Sequence, residues 1–426
     1  MEHFMTLFQY AVVASILHDE KQKQELLSKF EQALIEAGGE LQSVGTHTLC
    51  PRNTNLPLFI FVLTGGTEAE AMQLIQKEKM MEQGIPVVLL AHPFQNSLPA
   101  AMEILAKVKQ DSGKGLILQA DASGVFDAAA LGNIISVSQS MRTLQASRIG
   151  AVGKPSDWLI ASSQHPDIAK KAWGLTLIDI PFAELMHDIE AIRAKPERVP
   201  DVPGLRAKAE FFSEADEADM RKSAEILQAL KGIVARYKLT ALTLRCFDLV
   251  LLDSSTGCLA LSALADEGID AGCEGDIPSI IALHWMRTLT GMTGWMANPS
   301  RISIDKEKGT AQALIAHCTA PRSILSSYGL RSHFESGLGV AVAGIIPEGP
   351  VTLVRIGGKN LDRVWFSDAS VIGSPRQEGL CRTQALLALP AARAEELLTN
   401  PLGNHLVMIR GDWIKRIEAF IRLWQS

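Results

Sequence analysis

The sequence predicts an α/β protein whose chain ends in a β-rich domain. Three observations carry that prediction. Residues 8–160 alternate short, continuous apolar runs with segments of helical periodicity, the pattern of a parallel sheet covered on both faces. From about Ser300 the texture changes to apolar alternation punctuated by turn residues, which reads as antiparallel β-structure closing into a small barrel or curled sheet. And 426 residues exceed what one ordinary core accommodates, so two or three domains are expected.

In chain order, Ala11–Leu17 reads as a first strand and Lys21–Ala37 as a helix stopped by Gly38 and Gly39. Leu58–Leu63 is a buried strand ending on Thr64-Gly65-Gly66-Thr67-Glu68, followed by a helix over Ala69–Gln83, a strand over Pro86–Ala91 and a helix over Leu98–Lys109. Ile149–Gly153, Trp158–Ala161 and Leu175–Ile180 read as strands of a second unit. Residues 194–207 hold three prolines and read as a linker or exposed loop. A helix over Glu214–Tyr237 then leads to Leu242–Arg245, Leu249–Leu252 and the segment Cys273–Asn298. There Asp276 stands at a helix N-cap with Pro278 in the first turn, and the helix runs from Ile277 to Thr290, where Gly291 ends it. A short apolar piece, Trp295–Ala297, follows. The β-rich part contains Ala311–Ala316, Gly339–Ile345, Val351–Ile356, Arg363–Phe366 and Leu406–Ile409, and an amphipathic helix over Asp412–Trp424 closes the chain. The expected domains are 1–147, 148–299 carrying Glu274, and 300–426 carrying His405.

Composition narrows the function. Apolar residues make up 47% and charged residues 21%, with a net charge of −6 and only a mildly basic stretch at 193–198, so nucleic acid and anionic membranes are not expected partners. The N-terminus lacks a basic lead and a small-residue cleavage site, and no apolar run approaches membrane-spanning length. The six cysteines are scattered without CxxC pairs, which suits core thiols in a reducing cytoplasm. The Thr64–Glu68 turn opens a helix after a strand, so it reads either as a cradle for an anion or hydroxyl-rich ligand or as a tight turn that needs glycine. It has neither dinucleotide-fingerprint nor Walker spacing.

Four signals in the C-terminal half bear chemistry: Glu274 with Asp276, His317 in AHCT, His333 in SHFESG, and His405 in GNH. Each has a plain structural reading. The two carboxylates favour a helix N-terminus electrostatically, and a single histidine commonly satisfies a turn. His284, inside the helix, is read as structural.

Taken as an ordered set, CEGDIPSIIALHWMRTLTG, WMANPSR, AHCTAP, LRSHFESGLGVAVAG, GPVTLVRIGG, CRTQ and NPLGNHLVMIRGDW resemble the L-fucose isomerase and L-arabinose isomerase superfamily. LTGGTE, HPFQNSLPAAMEILA and RIGAVGKPSDWLIAS resemble the N-terminal domains of shorter fucose-isomerase-like proteins. The resemblance implies two Rossmann-like domains, a β-rich C-terminal domain, a homo-oligomer and aldose–ketose interconversion of a sugar with a divalent metal. That metal is usually Mn²⁺, with Co²⁺ or Mg²⁺ as alternatives. It implies metal ligands at Glu274 and His405, and places Asn298 where the family has an aspartate, at a position that is both ligand and catalytic. A carboxamide is a neutral donor and no base, so His317, His333 or Asp276 is a candidate to complete the site. Such a reaction removes a proton from the carbon beside the carbonyl or shifts a hydride, and Glu274 is the candidate base for the proton route. Arg301 and Arg355 are candidates for substrate hydroxyls or a distal anionic group. The alternatives are a sugar-binding or regulatory relative with a decayed metal site, and an epimerase or lyase using the same enediol.

Overall fold

The computed structural model describes residues 7–195 and 202–425. The chain divides into two compact units, Met1–Thr143 with Lys415–Ser426, and Leu144–Ile414.

The first unit is a parallel α/β layer. Its elements are β1 (Phe8–Val13), α1 (Glu20–Glu36), β2 (Gly39–Val44), β3 (His47–Thr48), β4 (Leu58–Val62), α2 (Glu68–Lys77), β5 (Val87–Ala91), α3 (Ser97–Gln110), β6 (Gly115–Gln119) and α4 (Ala128–Ala146), within which the division falls. The strands lie in the order β3-β2-β1-β4-β5-β6, all parallel except the short β3. The continuous apolar runs are explained by burial on both faces. Phe59 and Phe61 of β4 enter one core with Phe30 and Leu90, while Ile60 and Val62 enter the other with Ala71 and Leu89. Asp19 and Gln22 cap α1 reciprocally, which fixes its start. The first strand begins earlier than Ala11, at Phe8, and ends at Val13. Ser15 turns to donate its N–H to Thr64 Oγ1 at 2.7 Å, which leaves Ile16 and Leu17 exposed. In the glycine turn Gly65 N–H is bonded to Gln95 O and Gly66 has φ +77°, which accounts for the tight turn.

The second unit joins a smaller parallel sheet to a β-barrel. The sheet is formed by β7 (Arg148–Val152), β8 (Thr176–Ile180), β9 (Ala241–Leu244) and β10 (Asp270–Cys273), ordered β10-β9-β7-β8. Its helices are α5 (Pro166–Trp173), α6 (Phe182–Arg193), α7 (Val202–Arg206), α8 (Glu217–Tyr237), α9 (Phe247–Asp253), α10 (Cys258–Asp266) and α11 (Ile277–Thr290). Residues 196–201 of the expected linker lie outside the described residues, and its remainder contains α7. Trp158–Ala161 is not a strand. After Pro155 the backbone turns twice, Leu159 N–H to Ser156 O and Ser162 N–H to Leu159 O, leaving Ile160 90% exposed, which no core strand would allow.

The barrel comprises β11 (Trp295–Asp305), β12 (Thr310–His317), β13 (Ser327–Arg331), β14 (Ala341–Ile345), β15 (Gly349–Gly357), β16 (Arg363–Gly373), β17 (Thr383–Pro390) and β18 (Leu406–Arg410), with α12 (Ala391–Thr399) on it. The order β12-β11-β18-β15-β16-β17 closes through a direct β12–β17 pairing, and β14-β13 extends from β17. A closed sheet leaves no edge among those six strands. Alternate residues fill the interior with Ala313, Ile315, Leu353, Ala385, Leu387 and Met408. The last helix, α13 (Ile414–Trp424), belongs with the first unit, where Ala419 packs on the core of β1 and β4.

Candidate active site

Strand ends, a helix start and a turn converge on one cavity of about 480 Å³ in the second unit. Glu274 follows the end of β10, and Asp276 caps α11 by accepting from Ser279 N–H at 2.8 Å. Asn298 pairs with Ala316 across β11 and β12, which sets it beside His317, while Ala297 pairs with Leu406 of β18, next to His405. The register of three adjacent barrel strands therefore gathers these side chains at one end.

Glu274 has φ +62°, a conformation that costs a non-glycine residue about 1–3 kcal/mol and persists where surroundings impose it. Gly275 follows at φ +72°, and a Cβ there would lie 2.7 Å from Pro155 Cα, so the turn demands glycine. Ser156 N–H bonds Glu274 O, pinning the strained backbone. The Glu274 carboxylate accepts from Trp158 Nε1–H at 2.7 Å through Oε2, and its Oε1 lies 3.5 Å from His405 Nε2.

His405 is fully buried, and its Nδ1 hydrogen-bonds Asp276 Oδ2 at 2.8 Å. Its Nε2 is a buried polar atom without a hydrogen-bond partner among the described residues. His317 Nδ1 meets Thr319 Oγ1 at 2.8 Å. Glu274, His317 and His405 each offer one ligand atom, all within 4.8 Å of one another. This donor set, one carboxylate oxygen and two imidazole nitrogens, suits a divalent ion of the Mn²⁺–Zn²⁺ range. A histidine whose other ring nitrogen is held by a carboxylate is the usual metal-site arrangement.

The buried charges of the site hold one another ionised. Burial opposes ionisation of Glu274, but the charge of His405 at 3.5 Å, with that of His317 and the Trp158 N–H, outweighs it and holds the carboxyl at about 2. Burial likewise opposes the Asp276 carboxylate, yet Arg355 and His405 keep it well below the ordinary range. Burial disfavours charge on His405 as well, but the Asp276 and Glu274 carboxylates raise it to about 9. His317 goes the other way: burial, reinforced by His405, brings it down to about 3, so it is a neutral donor near neutrality.

The remaining predicted residues are distributed unevenly. Asn298 lines the cavity and accepts from Asn404 Nδ2 at 3.4 Å. His333 also lines it, its Nδ1 held by Ser336 Oγ at 3.0 Å, but it is not part of the three-residue group. Asp276 lies behind His405 rather than on the cavity wall. Arg355 is not a wall residue either. It is 1% exposed, with Nη1 on Asp276 and Ser279 and Nη2 on Ser162, because a buried carboxylate needs a buried cation. Arg301 is exposed on β11, away from the cavity wall. His284 is structural, bonded to Asp270 and Ser147. Sequence reasoning missed Trp158, Thr319 and Asn404. The last two stand within the AHCTAP and NPLGNH motifs, whereas Trp158 was hidden by the strand assignment.

No family model matches the chain. Among curated proteins it is similar to the sulfoquinovose isomerases of Priestia aryabhattai and Priestia megaterium, each 25% identical over 227 residues, 52% of this chain and 50% of theirs. It is also similar to the sulfoquinovose isomerase of Alkalicoccus urumqiensis, 22% identical over 308 residues, 69% of this chain and 67% of that protein. The chain is thus distantly similar to proteins named as isomerases of a sugar. It spans about half the length of the first two relatives it matches. The relationship agrees with the motif resemblance to sugar isomerases. Among the described residues no helix is long and apolar enough to cross a membrane.

Proposed function

We propose that the protein is a metal-dependent aldose–ketose isomerase acting on a sugar, with Glu274, His317 and His405 holding a divalent ion, Mn²⁺ being the first candidate. The observation that carries this reading is His405 Nε2, buried without a hydrogen-bond partner among the described residues and facing Glu274 and His317, while Nδ1 is fixed by Asp276. Buried histidine nitrogens are ordinarily hydrogen-bonded, and Nε2 here has only the Glu274 carboxylate at 3.5 Å.

When bound, the ion supplies Lewis-acid stabilisation of negative charge developing on the oxygens of the reacting carbons. The chain's own residues do the rest. Asp276 holds a proton on His405 Nδ1, so Nε2 is the ring nitrogen that would serve as a donor once its own proton is lost. Trp158 fixes one oxygen of Glu274 and leaves the other facing the histidines. With its carboxyl held at about 2, Glu274 is better suited to ligation than to proton removal, since a base works best with a pKa near the working pH. Asn298 retains an amide that can orient a sugar hydroxyl but takes no proton. His333, also on the wall, is lowered by burial and by Arg382, so it is neutral and able to accept a proton in an enediol-type route.

The relatives' name gives sulfoquinovose as the first sugar to assay. The test is to strip the protein with chelator, restore Mn²⁺, Co²⁺ or Mg²⁺, and screen aldoses and ketoses by NMR in deuterated water. A ketose formed only with metal supports the reading. An epimer, cleavage fragments, or binding without turnover would replace it with one of the alternatives.

A further inference from the structure

We propose that Arg331, Arg376 and Arg382 form a binding site for a small oxyanion, a sulfo or phospho group, beside the metal-centre cavity, and that Glu214 of the same chain partly fills it.

A second cavity, of about 240 Å³, is lined by these three arginines with Phe211, Glu214 and Leu380. The arginines come from separate places: Arg331 ends β13, Arg376 lies in the loop after β16, and Arg382 immediately precedes β17. Their convergence is therefore a product of the fold and not of a charged run in the sequence. The Glu214 carboxylate shows what two of them, Arg331 and Arg382, hold. Arg331 donates to Oε1 from Nε at 3.1 Å and from Nη2 at 2.5 Å, while Arg382 Nη2 and Ser332 Oγ each donate to Oε2 at 3.0 Å. Forked guanidinium donors with a hydroxyl make a grip that suits any compact oxyanion.

Three guanidinium groups here face two carboxylates. The second, Glu378, reaches Arg331 and Arg382 at 3.5 and 3.8 Å from a side chain that is 77% exposed, where pairing is weak. Arg376 stacks over the Phe211 ring, 5.8 Å from its centroid, and pairs with no carboxylate among the described residues. Glu214 itself has φ +70°, which a non-glycine residue adopts when its surroundings impose it. Its segment is docked on β13 by backbone bonds, Glu210 N–H to Tyr328 O and Ser213 N–H to Leu330 O, which carries the carboxylate to the arginines.

The site adjoins the metal centre. Leu380 lines both cavities, and Arg382 Nε donates to the backbone oxygen of Ser332, which precedes the wall residue His333. One chemistry has two possible sources: an anionic group carried by the sugar, or a free anion that modulates the site. The sugar arm rests on the proposed isomerase function, whereas anion binding does not.

The test is calorimetric titration of the full chain with sulfate and with phosphate, in the wild type and in the Arg376→Ala and Glu214→Gln variants. Saturable binding weakened at least tenfold in Arg376→Ala and strengthened several-fold in Glu214→Gln is expected. Should Glu214→Gln fold poorly, sulfate should raise its melting temperature more than that of the wild type. Equal binding by wild type and Arg376→Ala, or no saturable binding by wild type and Glu214→Gln, overturns the proposal. Assays on sulfonated and neutral aldoses then separate the sources. A raised KM for the sulfonated sugar alone in Arg376→Ala assigns the anion to the substrate, and a sulfate effect on the neutral sugar assigns it to an effector. Anion binding with no metal-dependent turnover would leave this site standing and remove the isomerase reading.

Discussion

Asp276 Oδ2 and His405 Nδ1 are joined by a 2.8 Å hydrogen bond, with neither side chain exposed to solvent. The same carboxylate caps α11 and pairs with Arg355. One buried residue thus sets the helix start, neutralises a buried guanidinium and fixes the tautomer of the histidine that faces Glu274. Replacing it by asparagine should lower affinity for a divalent ion by roughly 10–100-fold, the usual cost of losing such an outer partner. Competition of the purified variant against a chromogenic chelator measures this, and unchanged affinity would separate Asp276 from metal binding.

Arg355 supports the site from behind without reaching the cavity. Arg355→Ala should destabilise the protein by about 3–5 kcal/mol, because it removes the buried cation paired with Asp276 and leaves only His405 to compensate that buried charge. Arg301→Ala, at an exposed position, should fall within about 0.5 kcal/mol of wild type. Urea unfolding compares them. A stable Arg355→Ala protein with only a raised KM would instead make Arg355 a substrate contact.

Trp158 is the residue whose role is most separable from folding. Its indole meets Phe247 edge-on at 4.9 Å and is half exposed, so Trp158→Phe keeps the packing and removes only the N–H to Glu274. A hydrogen bond to a charged group contributes about 1.5–3 kcal/mol, reduced toward about 1 kcal/mol by solvent at this half-exposed position. The expected result is a fall of roughly five- to tenfold in kcat/KM with an unchanged melting temperature. Equal activity would show that Glu274 needs no orienting donor.

Much of this architecture was legible in the sequence because burial on both faces writes unbroken apolar runs, as in Leu58–Val62 and Val87–Ala91, and because Asp276, Pro278 and Gly291 mark both ends of α11. The Trp158 turn was not, since an apolar run that turns outward looks like a strand until its partners are known. Strand β17 was also missed, although it pairs with β12 and closes the barrel. At the site, Glu274 and His405 could be read from their motifs. That His317 joins them depends on the β11–β12 register, and that Arg355 turns inward depends on Asp276 being buried. Both are tertiary facts with no local signature.

The most direct test of the central claim is metal content after dialysis against Mn²⁺, measured by elemental mass spectrometry on wild type, Glu274→Ala and His317→Gln. About one ion per wild-type chain, lost in both variants with folding intact, is the predicted result. A wild-type protein that retains no divalent ion, or variants that retain it fully, would contradict a metal centre built from Glu274, His317 and His405.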